Sequence, residues 1–270
     1  MRGASRASLA EARERLSDAV ADASAASRLG DEMFAVTALL DGEPALCRML
    51  SNPAQPAEAK AGVVNALLSG RLSAGPIDLV TSLVSAHWSS PADLADAAEQ
   101  LAVLAILAAA EHRGQLDDLE DELFRFGRVV SAEPELRAVL SNLFVAPERK
   151  RALLDGLLAD RVTEPTLRLV TQAAAYPRGR SLDASLEDYA RLAAAQRARL
   201  VAEVHVPAEL TAAQRSRLEA ALAAAYGHQV HLNVVLDPQV VGGMSIQIGD
   251  ELIDGSMASR LAALRRRLAA

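Results

Sequence analysis

The stretch DPQVVGGMSIQIGDELIDGS, residues 237–256, decides how this chain is read. It holds paired glycines, a Gly-Asp and an Asp-Gly-Ser, and three readings compete for it: a phosphate cradle, a metal loop and a tightly turned hairpin. A dinucleotide fingerprint needs G-x-G-x-x-G between a strand and a helix, whereas Gly242-Gly243 precedes the strand-like MSIQI. A Walker loop needs Lys and Ser or Thr after its last glycine, and neither follows. Asp237, Asp250 and Asp254 lack the one-three-five spacing of a calcium loop. The hairpin uses every residue. Gly242-Gly243 permits a positive φ or a bulge at a strand start. Ile246 and Ile248 then alternate to one face and Ser245 and Gln247 to the other. Gly249-Asp250-Glu251 is a compact reversal into a short strand, LID. Asp254 or Ser256 caps a last helix whose Arg265, Arg266 and Arg267 suit the negative end of its dipole.

Upstream of the hairpin, LVAEVHV alternates at period two, LTAAQRSRLEAALAAAYG is helical with Thr211 as N-cap, and QVHLNVVL returns to strand. Before Leu200 the pattern is helical throughout, with apolar residues recurring at three and four and prolines punctuating the helices at Pro44, Pro53, Pro76, Pro91, Pro134, Pro147 and Pro165. The fold class expected is mainly α: an N-terminal helical bundle with a duplicated module, then a small α+β C-terminal domain.

The duplication is read from an offset of 90 residues. Leu50-Ser51-Asn52 falls on Leu140-Ser141-Asn142 without a gap. Asp31, Glu32 and Phe34 fall on Asp121, Glu122 and Phe124; Glu43-Pro44 on Glu133-Pro134; Glu58 and Lys60 on Glu148 and Lys150; Leu79-Val80-Thr81 on Leu169-Val170-Thr171. Roughly a third of positions 31–81 match their copies, more than shared helical bias produces. Two units are too few for a solenoid, so the expected domains are an extra helical module at 1–90, a helical bundle at 91–198 and an α+β domain at 199–270.

Composition narrows the function. Apolar residues make up 51% and aromatics 3% of 270 residues, a mixture rich in Ala and Leu that favours helix. A net charge of −7 and the absence of a basic stripe weigh against an RNA-binding helical regulator, the second reading considered. Cys47 is the single cysteine, so no internal disulfide forms. The start of the chain turns polar at once, unlike a secretory signal. The apolar run Leu101–Ala110 is ten residues, against the ~20 needed to span a bilayer. His205, His228 and His231 have no cysteine and no H-E-x-x-H spacing beside them and read as surface or strand-edge residues. Trp88, ending a helix after His87, reads as a core or groove anchor, and Cys47 as core. Arg149, Lys150 and Arg151 read as a solvated helix start. A nucleotide or small-molecule enzyme built on the C-terminal domain needs a convergent polar constellation, and none is offered. No catalytic, cofactor or metal residue is assigned.

The segment VVLDPQVVGGMSIQIGDELIDGSMASRLAALRRRL resembles the C-terminal signature of the delta subunit of F-type ATP synthases, the bacterial counterpart of the mitochondrial oligomycin-sensitivity-conferring protein. Asp237, Gly242, Gly243, Gly249, Asp250, Ile253, Asp254, Gly255, Ser256, Arg260 and Leu261 stand in order at the family's spacing. The resemblance covers about residues 91–270, with SAEPELRAVLSNLFVAPERKRALLDGLL matching the family's helical bundle. An ordinary member begins near Pro91, and long Ala- and Arg-rich forms are similar to those of high-GC Gram-positive bacteria. The resemblance implies a non-catalytic part of the peripheral stalk, at the cytoplasmic face of the bacterial cell membrane, with no cofactor and no nucleic-acid partner. Its helical domain is then expected to bind N-terminal segments of the alpha subunits beside Phe124, Leu136 and Leu140. Its C-terminal domain, carrying the signature, is expected to hold the b subunits.

Overall fold

The computed structural model describes residues 3–254 apart from 71, 199–200, 227–229, 238–239, 241 and 250. The chain divides into two compact units, Met1–Ala193 and Ala194–Ala270. Among the described residues the first unit is helical: α1 Gly3–Ala19, α2 Ala23–Gly42, α3 Pro44–Ser51, α4 Ala57–Leu68, α5 Ala74–Ser85, α6 Pro91–His112, α7 Leu116–Ala132, α8 Pro134–Ser141, α9 Pro147–Leu158, α10 Glu164–Ala175 and α11 Leu182–Ala198, the last running across the boundary. Pro44, Pro91, Pro134 and Pro147 open their helices at the first position, where the missing N–H costs nothing.

The repeat is visible in three dimensions. Helices α3, α4 and α5 begin at Pro44, Ala57 and Ala74, and α8, α9 and α10 begin 90 residues later at Pro134, Pro147 and Glu164. Hydrogen bonds recur at the same offset. Lys60 Nζ donates to the Val84 carbonyl (3.0 Å) and Lys150 Nζ to the Ala174 carbonyl (2.8 Å), each ammonium closing the last turn of a neighbouring helix. Glu32 accepts from the Ser73 amide and hydroxyl at the head of α5, and Glu122 accepts from the same groups of Thr163 at the head of α10. Lys150 therefore departs from the solvated helix start expected of Arg149-Lys150-Arg151: its flanking arginines are exposed, but Lys150 points inward and is buried. A helix start has an inner face as well as an outer one, and position 150 falls on the inner face.

Shifted by the same 90 residues, α1 lands within α6, and α6 lands on α11. Helix α6 thus serves as the last helix of the first copy and the first helix of the second. Its sequence allows this because both of its faces are apolar or small. Leu94, Ala97, Ala98, Leu101, Ala102, Val103, Ala105, Ile106, Leu107 and Ala109 are all buried, as an all-round apolar helix must be. It packs on α1, α2, α3 and α5 on one side and on α7 and α10 on the other. The run Leu101–Ala110 lies at its centre, and among the described residues no helix is long and apolar enough to cross a membrane. The closest approach is with α2, where Gly30 sits against Ile106 and the Ala102 carbonyl.

Trp88 lies three residues beyond the end of α5, buried, its indole N–H donating to the Leu83 carbonyl at 2.7 Å. Cys47 is buried as expected, its thiol directed at the Pro91 carbonyl.

The second unit holds a four-stranded sheet in the order β2-β1-β3-β4, with β1 Val201–Val206, β2 His231–Leu236, β3 Ser245–Ile248 and β4 Glu251–Asp254. Strands β1 and β2 run parallel, joined by α12 (Ala212–Tyr226), while β3 and β4 complete the sheet antiparallel. A parallel pair needs such a crossover helix. Ala202, Val204, Val206, Leu232, Ile246 and Ile248 face α12 and bury Leu222 beneath Leu218 and Tyr226. Thr211 and Gln214 form a reciprocal capping box: Thr211 Oγ1 accepts from the Gln214 amide and Gln214 Oε1 accepts from the Thr211 amide.

Candidate docking site

The glycine-rich stretch builds a turn. Gly242 (φ +68°), Gly243 (φ +86°) and Gly249 (φ +55°) all lie in the left-handed region that a Cβ penalises. Asp237 N–H donates to the Val206 carbonyl (2.8 Å), tying the exit of β2 to the end of β1, and the Gly242 amide donates to the Val240 carbonyl (3.0 Å). Ile248 and Glu251 pair across a two-residue reversal, and Asp254 stands opposite Ser245. Asp250, Gly255, Ser256 and Arg260 lie outside the described residues, as does the stretch where the last helix is expected. Gly243→Val forces a β-branched residue to positive φ at a cost of about 1–2 kcal/mol. Amide hydrogen exchange of Ser245–Ile248 is the readout, with protection falling roughly tenfold.

Around this turn the ionisable groups are satisfied locally. His205 contacts Glu203 (2.8 Å) and lies 3.7 Å from Asp237. Strands β1 and β2 are neighbours, but in register Val201 stands beside His231 and His205 beside Val235, which separates the two histidines along the sheet. Among the described residues no group of three His, Cys, Asp or Glu side chains is arranged to hold a metal.

In the first unit the three expected docking residues have different fates. Leu140 is in the core, Leu136 is half-buried, and Phe124 is 61% exposed. Phe124 lines a groove of about 520 Å³ between α7 and α11, with Leu123, Gly127, Leu186 and Ala190 as its floor and walls. The resemblance put Phe124 beside an expected docking groove, but Gly127 and Ala190 are small side chains that carry no signal until two helices are laid side by side. Further exposed apolar side chains are Val139 on α8 and Leu143 and Phe144 at the turn between α8 and α9, where the Phe144 amide donates an Asx hydrogen bond to Asn142 Oδ1 and holds the loop.

The largest polar cluster lies elsewhere. Glu99 on α6, buried, receives Arg178 and Arg180 from the α10–α11 connection and the Tyr189 hydroxyl from α11 (2.7 Å). Arg178 also binds Asp41 at the end of α2 and Asp96 on α6. Burial, with the Glu99 charge adding to it, raises the Tyr189 hydroxyl well above the usual phenol range, so it remains a donor. Burial opposes the charge of Arg178, but its bonds to Asp41 and Glu99 outweigh that and raise its affinity for the proton. All partners are internal to the bundle, which makes the cluster a clasp joining α2, α6 and α11. Sequence reasoning missed it because its members are spread over 148 positions, from Asp41 to Tyr189.

Comparison with known proteins bears on the whole chain. The family model described as ATP synthase delta (OSCP) subunit matches residues 103–268. The ATP synthase subunit delta of Streptomyces avermitilis is 50% identical over 99% of this chain and 98% of its own length. That of Streptomyces coelicolor is 50% identical over 100% and 98%, and that of Thermobifida fusca 46% identical over the full length of both. The alignments with these relatives extend over the extra N-terminal copy as well as the bundle and sheet. With signature turn, helical bundle and length all in agreement, the chain belongs to the ATP synthase delta (OSCP) subunit family.

Proposed function

We propose that this chain is a non-catalytic subunit of the F-type proton-transporting ATP synthase, a component of the peripheral stalk that keeps the catalytic head from turning with the rotor. The helical unit binds N-terminal segments of the alpha subunits beside Phe124, Leu136 and Leu140. The unit with the glycine turn holds the far ends of the b subunits. The chain then sits at the cytoplasmic face of the bacterial cell membrane, attached only through the complex.

Family membership over the full chain is the observation that carries this reading. The physics agrees with it. A connector under repeated load needs broad helix-in-groove contact, and the surface of α7, α8 and α9 leaves Phe124, Val139, Leu143, Phe144 and Leu157 exposed. A specific interface of ~800 Å² per partner is of the right scale. Two such contacts on one chain raise each other's effective concentration, so the stalk stays attached when one loosens. Purifying the tagged chain from its own membranes tests the assignment. Alpha, beta and b subunits are expected to accompany it in fixed ratio, and recovery of the chain without them overturns the assignment.

A further inference from the structure

The two copies of the repeat share α6 and otherwise face each other across a cleft. Helix α2 of the first copy and α10 of the second both pack on α6. Side chains of α10 cover Phe34 of α2, which is 9% exposed. The two helices nevertheless do not close on each other along their lengths. Between them remains a cleft of about 530 Å³, with Phe34, Ala35 and Ala38 on one wall and Arg151, Leu167 and Tyr176 on the other. A packed interior leaves no space of that size, so apolar contact alone does not hold this seam shut.

Two arginines of the second copy bridge it. Arg168 on α10 donates to Asp31 of α2 at 2.9 Å and to the Ser27 carbonyl at 3.4 Å. Arg178, just past α10, grips Asp41 at the end of α2 through both Nε and Nη2, the second bond at 3.1 Å, a two-pronged pairing of guanidinium and carboxylate. The Arg178 backbone lies at φ +49°, a conformation that a residue with a Cβ keeps only where its surroundings impose it. The repeat does not supply these arginines: the first copy has Asp78 and Trp88 at the positions of Arg168 and Arg178.

We propose that Asp31–Arg168 and Asp41–Arg178 form a latch, and that the two copies swing open and shut about α6 as it releases and re-forms. The inference does not depend on the stalk reading. Helix α6 suits the axis because it is buried all round and stays whole whichever way its neighbours turn. The latch lies at the rim of the cleft. The side chains of Arg168, Asp31 and Asp41 are 33%, 56% and 37% exposed, so water and salt reach and weaken both pairs. Arg178 keeps Glu99 when Asp41 lets go, so opening strands no buried charge and the arginine stays in place for the latch to re-form.

The test uses the full chain with Glu58→Cys on α4 and Glu148→Cys on α9, exposed and equivalent positions of the two copies, each carrying a nitroxide label. Cys47 is buried and escapes the label. Pulsed electron-spin distance measurement at ~0.1 M salt is expected to give one narrow distribution for this parent chain. Adding Asp31→Asn and Asp41→Asn is expected to broaden it about twofold. Raising the parent chain to ~1 M salt, where the screening length falls to about 3 Å, is expected to act in the same direction. An unchanged distribution in the variant overturns the latch. A broad distribution in the parent chain at low salt also overturns it, because the copies are then never fastened. If the variant loses its helical circular dichroism, the salt series on the parent chain decides alone: broadening upholds the latch, and no change overturns it.

Discussion

Replacing Glu99 by Ala is expected to lower the stability of the helical unit by about 3–5 kcal/mol, the range for leaving buried charges without their partner. Glu99 is buried and accepts from two guanidinium groups and a phenol. Its removal strands Arg178, whose side chain is only 9% exposed, against Asp41 and Asp96 alone, and leaves the Tyr189 hydroxyl with no acceptor in a place water does not reach. The partial variants rank the contributions. Tyr189→Phe loses one hydrogen bond and is expected to cost about 1–2 kcal/mol, and Glu99→Gln, which keeps the shape but not the charge, is expected to fall between. Urea unfolding followed by tryptophan fluorescence is the measurement, because Trp88 is the single tryptophan and is buried in this unit. A midpoint for Glu99→Ala within 0.5 kcal/mol of wild type would show that the cluster is not a clasp.

The second large effect is expected at Gly30. A Cβ there would lie 2.5 Å from Ile106 Cδ1, 2.8 Å from Ile106 Cγ1 and 3.2 Å from the Ala102 carbonyl oxygen. Ile106 is fully buried, so any shift it makes is into neighbouring side chains rather than solvent. Gly30→Val is expected to cost about 3 kcal/mol, at the upper end for overpacking a close crossing. Gly30→Ala costs less, because roughly 1 kcal/mol of helix propensity offsets part of the clash. Pairing Gly30→Ala with Ile106→Val is the decisive cycle. If the collision is as described, the double variant is more stable than the sum of the two singles predicts, by about 1 kcal/mol or more. Strict additivity would mean that the two helices simply move apart.

How much was legible in the chain itself follows from which forces are local. The turn at Gly242-Gly243 and Gly249 was readable because a left-handed backbone is a property of single residues, and the alternation of Ile246 and Ile248 because a strand has period two. The capping role of Thr211 and the helix starts at Pro44, Pro91, Pro134 and Pro147 belong to the same class. The doubling of the module was readable because both copies kept their helix boundaries and matched at Glu32 and Glu122, Lys60 and Lys150. What these carboxylates and ammonium groups do was not readable. Whether Lys150 faces water or the end of α10 depends on where α10 lies, and that is settled by packing.

Residue types and their spacing therefore determined the sequence of helices and strands, the hairpin and the repeat, since each rests on forces acting within a few residues of the chain. The tertiary structure alone decided that one helix, α6, belongs to both copies, that Glu99 is enclosed by groups 79 to 90 positions away, and that Phe34 is covered while Phe124 is open. Burial is conferred by neighbours, and two identical residues at equivalent positions of a repeat differ in it as soon as one copy has a helix packed against it and the other does not.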